Sequence, residues 1–209
     1  MTLLDPIPAE TLREASIPVL ETERLVLRAP RLEDAERIAM LANERRIAEN
    51  TARIPHPYVL ADATAFLVTV NRSKHEMAFL ITLADGTPIG ACGLELRDGH
   101  AASVGTGNAA PELGYWLGLP YWGQGFATEA VRALIDHAFE DLELDALQAG
   151  ARVTNPGSRR VLEKCGFQWT GVGLYRIRAL KSSAPIDRFR LERSIWASLK
   201  SWGASRRVA

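Results

Sequence analysis

Cysteine is scarce in this chain. Among 209 residues only Cys92 and Cys165 occur, far apart and with no second Cys or His at metal-ligand spacing. A disulfide framework and a zinc centre are therefore both excluded as organising principles, and the expected metal content is none. Net charge is lacking too: 25 lysines and arginines offset 25 aspartates and glutamates, so no global field draws the protein to nucleic acid or an anionic membrane. No run approaches the roughly 18 consecutive apolar residues of a membrane span. The segment Met1–Leu20 meets two acids before its first arginine and has prolines at Pro6, Pro8 and Pro18, unlike a secretion signal. A reducing, cytoplasmic setting is the expectation. The four histidines, His56, His75, His100 and His137, form no triad or metal spacing.

What remains is the balance of an ordinary globular protein, with 47% hydrophobic and 24% charged residues. The length suits one domain, spanning residues 21–195 between an extension at 1–20 and a tail at 196–209. No repeat or low-complexity stretch interrupts it. Arg24–Arg28 reads as a strand. The three- and four-residue recurrence of Leu32, Ala35, Ile38, Ala39 and Ala42 predicts an amphipathic helix from Arg31 to about Glu49. Pro55 and Pro57 force a loop before a second helix near Asp62–Asn71. Glu76–Thr82 and Pro88–Leu96 form a hairpin about the Asp85-Gly86 pair, and His100–Asn108 reads as a loop. A strand over Glu112–Leu119 precedes a glycine turn and a helix over Gly125–Phe139. Ala146–Val153 is a strand, and Asn155, Pro156 and Gly166 mark the ends of a short helix. Strands then start at Phe167 and run over Asp187–Ile195. The order indicates an α/β or α+β fold with a largely antiparallel sheet.

The chemistry is concentrated in the strand, glycine turn and helix of Pro111–Ala130. Gly123 and Gly125 allow close backbone approach, and their amides together with the helix N-terminus suit an anion such as a pyrophosphate. Alone, a Gly-x-Gly turn is equally well a tight turn.

The surroundings add to it. This segment, with Thr22-Glu-Arg-Leu-Val-Leu-Arg28, His56-Pro-Tyr58, Gly86-Thr-Pro-Ile-Gly90, Asn155-Pro-Gly-Ser158 and Lys164-Cys-Gly-Phe167, resembles the GCN5-related N-acetyltransferases (GNAT), most of all the ribosomal-protein alanine acetyltransferase branch. The resemblance implies the GNAT fold, a central mixed, mostly antiparallel twisted sheet flanked by about four helices. It implies acetyl-CoA as cosubstrate and direct acetyl transfer to an amine acceptor. Gly123, Gln124, Gly125, Phe126 and Ala127 would bind the pyrophosphate, with Trp122 and Thr128 flanking them. The family often has Gln or Arg where Trp122 stands, and a glycine where Ala127 stands. Trp116, Leu117 and Gly118 would run beside pantetheine, with the Leu117 N–H polarising the acetyl carbonyl. Asn155 would touch the pantetheine arm. Many relatives carry an acidic tyrosine in the helix after Asn155; none occurs here before Gly166, which leaves Ser158 as the candidate to protonate the departing thiolate.

The acceptor must lose a proton before attack. An α-amine with reference pKa near 8 needs roughly 1.4 kcal/mol to be neutral at pH 7, and a lysine near 10.4 about 4.6. Glu112 is the candidate base, since period-two alternation puts it on one strand face with Gly114 and Trp116. A structural carboxylate is the competing role. Tyr58 and Phe66 are candidates for the acceptor pocket, and Trp196, Leu199 and Trp202 for a homodimer face or a loose tail. Two other readings stand beside the enzyme. A non-catalytic acyl-CoA sensor needs only the fold. A dinucleotide-dependent oxidoreductase would need a third glycine where Thr128 stands and an acid where Arg152 stands.

Overall fold

A computed structural model describes residues 17–96 and 110–205. The loop expected at His100–Asn108 and most of the 1–20 extension lie outside the described residues. The strands are β1 (Leu20–Glu21), β2 (Leu25–Arg28), β3 (Glu76–Leu83), β4 (Pro88–Glu95), β5 (Glu112–Leu117), β6 (Ala146–Arg152), β7 (Gln168–Ile177) and β8 (Ser182–Glu192). They form one sheet in the order β1-β2-β3-β4-β5-β6-β8-β7. Every neighbouring pair is antiparallel except β5 with β6. The helices are α1 (Ala35–Ala42), α2 (Arg45–Ala48), α3 (Leu60–Arg72), α4 (Phe126–Glu140), α5 (Pro156–Lys164) and α6 (Arg193–Ser205).

Alternation along the strands feeds two layers. Leu25, Leu27, Phe79, Ile81, Leu113, Leu117, Leu147 and Phe189 pack with Val131, Leu134, Ile135 and Ala138 of α4 and Leu162 of α5. The opposite face supplies Leu80 and Trp116 to a smaller cluster with Ile38 and Ala42 of α1 and Ala63 and Leu67 of α3. At about 1.5–3 kcal/mol per buried large side chain, these layers drive the assembly.

The helix expected over 31–49 is broken. A single 3-10 turn at Leu32–Asp34 leads into α1, which stops at Asn43 before α2 begins. Side chains at the break bond elsewhere than along one helix: Asn43 Oδ1 accepts the Tyr58 N–H at 3.0 Å from fifteen residues away, and Glu44 caps α2 by accepting the Arg46 N–H. The hairpin at Asp85-Gly86 forms as expected, with Gly86 at φ 86° and its N–H on Leu83 O at 2.9 Å. β8 is longer at its start than expected and ends at Glu192, because Arg193 opens α6. In α6, Trp196 lies against Phe139 with ring centroids 5.2 Å apart and donates to Asp136 Oδ1 at 2.7 Å. The start of the expected tail is thus docked on the core, and together with the split first helix this gives six α-helices among the described residues where about four were expected.

The feature that positions a site is where β5 and β6 part. Their parallel pairing covers only Glu112↔Gln148 and Leu113↔Ala149. β5 continues to Leu117 without β6, which stays with β8 through Arg152. A cleft opens between the two strands, with α4 and α5 at its back.

Candidate active site

Hydrogen-bond parity decides what β5 offers that cleft. In an antiparallel ladder bonded and non-bonded pairs alternate. Gly118 N–H donates to Ile89 O at 2.9 Å, so the adjacent pair Leu117↔Gly90 is the non-bonded kind. Both backbone groups of Leu117 therefore point away from β4, to the side that β6 has vacated. The Leu117 carbonyl there accepts the Trp122 indole N–H at 2.7 Å, which ties the strand end to the following loop. The Leu117 side chain stays in the α4 core.

The loop itself is an open anion cradle. Gly123 and Gly125 have φ of 76° and 85°, values that favour glycine, and a Cβ on Gly123 would meet only open space. Gly125 is the N-cap of α4 with no side chain capping it. The helix ladder begins only with the Glu129 N–H on Gly125 O. Among the described residues the amides of Gly123, Gln124, Gly125, Phe126, Ala127 and Thr128 have no intramolecular acceptor. Six orphan donors at the positive end of a 15-residue helix fit a diphosphate.

A charged clamp sets the loop from behind. Glu129, in the first turn of α4, accepts from Thr22 Oγ1 at 2.6 Å, the Arg24 N–H at 2.8 Å and Arg24 Nε at 2.7 Å. Arg24 Nη1 in turn donates to Gln124 O at 3.1 Å, and its guanidinium lies 4.5 Å from the Phe126 ring centroid. Burial pushes the Glu129 carboxyl up, but the donors from Thr22 and Arg24 outweigh it and hold the pKa below the ordinary glutamate value. Sequence reasoning missed this contact, because nothing in the chain flags a pairing 105 residues long.

Across the cleft, Asn155 Oδ1 accepts the Ser158 N–H at 3.1 Å and so caps α5. Ser158 is met by a residue that the sequence reading passed over. The Tyr115 hydroxyl lies 2.8 Å from Ser158 Oγ and 3.1 Å from Ser158 O. Burial pushes the Tyr115 phenol well above its ordinary pKa, opposed only partly by the bond to Ser158. The signal was present in the alternation of β5, since Tyr115 must face opposite to Glu112 and Trp116, towards the helices.

Glu112, Gly114 and Trp116 share the α1/α3 face, as alternation predicted. Glu112 meets a tyrosine: Tyr175 OH donates to its Oε2 at 3.2 Å. The β7–β8 hairpin that carries Tyr175 also touches the loop after α2, where Arg178 N–H donates to Ala52 O at 3.0 Å. Tyr58 and Phe66 belong to the same apolar cluster as Trp116. Tyr58 is buried and its phenol is pushed up to about 12, mainly by burial and then by Asp62. Both cysteines are buried free thiols, with Cys165 pushed up to about 11 by burial. Among the described residues no cluster of His, Cys, Asp or Glu is arranged for a metal, and no helix is long and apolar enough to cross a membrane.

Fold and cleft together define the class, an acetyltransferase of the GNAT type. The family described as "Acetyltransferase (GNAT) domain" matches residues 24–168, and the chain belongs to it. The N-acetyltransferase p20 of Bacillus licheniformis, itself uncharacterized, is 31% identical over 157 residues, covering 73% of this chain and 84% of the relative. The ribosomal-protein-serine acetyltransferase of Escherichia coli (strain K12) is 40% identical over 60 residues, 29% of this chain and 34% of that protein. Among solved structures, the microcin C7 self immunity acetyltransferase MccE in complex with acetyl-CoA and AMP superposes with a TM-score of 0.69 at 20% identity, over 82% of this chain and 93% of that one. Family membership makes acetyl-CoA the acetyl donor, and it sets aside the dinucleotide-dependent oxidoreductase.

Proposed function

We propose that the β5–β6 cleft moves the acetyl group of acetyl-CoA directly to a primary amine, either a protein N-terminal α-amine or the amine of a small molecule. The observation that carries this reading is the pairing of six amides at Gly123–Thr128 that have no acceptor among the described residues with an unbonded Leu117 N–H one strand-end away. The amides hold the pyrophosphate, and the stretch Trp116–Gly118 runs beside pantetheine. The thioester supplies the acyl group. The Leu117 N–H donates to the oxyanion that develops on the carbonyl, a contribution of about 2.7–4 kcal/mol for such donors. Glu112 takes the proton of the acceptor nitrogen, directly or through a water, on the face that Tyr58, Phe66 and Trp116 share. Ser158 protonates the departing thiolate, and Asn155 contacts the pantetheine arm. The likeness to a ribosomal-protein-serine acetyltransferase favours a protein α-amine, which is also the amine that needs only a modest base. The two free thiols fit a reducing cytoplasm. Trp202 and Leu199 on α6 are exposed and offer a face for a homodimer.

The test is thioester consumption with acetyl-CoA across peptides beginning with each amino acid and a panel of small amines. Turnover with at least one acceptor class is expected. The Gly125→Asp variant serves as the control: it sets a carboxylate beside the α4 amides at a φ of 85° that favours glycine, so turnover is lost and acetyl-CoA affinity falls at least about 100-fold, about 2.7 kcal/mol. A wild type that binds acetyl-CoA and acetylates none of these amines would favour the sensor instead.

A further inference from the structure

The Tyr115–Ser158 contact is more than packing. Two geometries satisfy it. In one, the phenol proton goes to the Ser158 carbonyl at 3.1 Å and the serine proton is spent on the phenol oxygen. In the other, the phenol donates to Ser158 Oγ across 2.8 Å, filling a lone pair of Oγ and freeing the serine proton for a third atom. The switch between them is a concerted rotation of the two O–H bonds, with no heavy atom moving. Burial keeps the Tyr115 proton in place, so the phenol remains a donor. Without it, a serine in the first turns of a helix tends to bond back to a carbonyl three or four residues earlier, and the proton is lost to the cleft.

Resting on the acetyl-transfer reading above, we infer that Tyr115 is a positioning residue that aims the Ser158 hydroxyl at the sulfur of bound CoA. The proton balance is closed. The neutral amine nitrogen forms the N–C bond, the C–S bond breaks with its electron pair on sulfur, sulfur receives the Ser158 Oγ proton, and the nitrogen, cationic once bonded to carbon, gives its extra proton to Glu112. Exchange with water returns Ser158 and Glu112 to their starting states, and Tyr115 keeps its proton throughout. Its chain position supports this: Tyr115 lies on β5 two residues past the last pair with β6 and two before Leu117, so one strand segment aims both the oxyanion donor and the acid.

Tyr115→Phe keeps the ring and its packing and removes only the hydroxyl. The expected result is a kcat lowered about tenfold, a part of the 10²–10⁴ that the positioned acid contributes as a whole, with the KM for acetyl-CoA changed less than about twofold. The Tyr115→Phe/Ser158→Ala double variant should be no slower than Ser158→Ala alone, because the tyrosine acts only through the serine. A second measurement needs no acceptor: the thiolate absorbance of bound CoA, titrated with pH. In the wild type the thiol titrates below free CoA, and Tyr115→Phe moves it back by about half a unit or more, since loss of one hydrogen bond to the anion is worth about 1 kcal/mol. An unchanged kcat, multiplicative losses in the double variant, or a bound thiol indifferent to Tyr115→Phe each overturn the inference. A wild type silent towards every amine would defeat the proposed function, while the CoA titration still judges Tyr115.

Discussion

Leu117 shows how one residue can serve two layers at once. Its side chain is 5% exposed in the α4 core, yet ladder parity turns its amide into the cleft. Asn155 is similarly divided. Its Oδ1 caps α5 through the Ser158 N–H, which leaves the Nδ2 donors for a ligand. Asn155→Asp separates these duties, because aspartate caps a helix as well as asparagine does. Thermal stability should therefore hold to within about 2 °C, under 1 kcal/mol for a chain this size. The KM for acetyl-CoA should rise about fivefold, the worth of one lost hydrogen bond. A fall in melting temperature with an unaltered KM would make Asn155 a cap and nothing else.

At the scale of elements, α4 is aimed by what grips its first turn. Glu129 saturates its carboxylate on Thr22 and Arg24, and Arg24 holds the Gln124 carbonyl, so the loop turns its amides outward. A carboxyl whose folded pKa is depressed contributes stability that is present above its unfolded value near 4.3 and is lost as the pH falls through the folded value. Glu129→Gln should accordingly melt below the wild type at neutral pH, and the gap should close as the pH drops below about 4.3. Melting curves over that range check it; a gap independent of pH would mean that charge plays no part in the clamp. The elements themselves were largely legible, because their periodicities are local. Leu25 and Leu27, the Asp85-Gly86 turn and the Asn155-Pro156 helix start each announce their structure within a few residues. The break at Asn43 was not legible, since it depends on the backbone of Tyr58, fifteen residues away. The same reason hid the Arg24–Glu129 clamp, the Tyr175 bond to Glu112 and the Tyr115–Ser158 contact: each joins residues that sequence spacing alone does not connect.

Across the whole molecule, the candidate site lies where a single parallel pair interrupts an otherwise antiparallel sheet. β5 and β6 share two residue pairs and then part, α4 closes the connection between them, and its N-terminus is left facing the opening. The two apolar layers hold the walls apart from opposite sides, with α4 and α5 behind and α1 and α3 in front. The most direct measurement of this account is a crystal structure of the chain with acetyl-CoA. It should show pyrophosphate oxygens within hydrogen-bonding distance of the Gly123–Thr128 amides and the thioester oxygen about 3 Å from the Leu117 nitrogen. A nucleotide bound away from the α4 N-terminus, or a thioester lying outside the gap between β5 and β6, would contradict it.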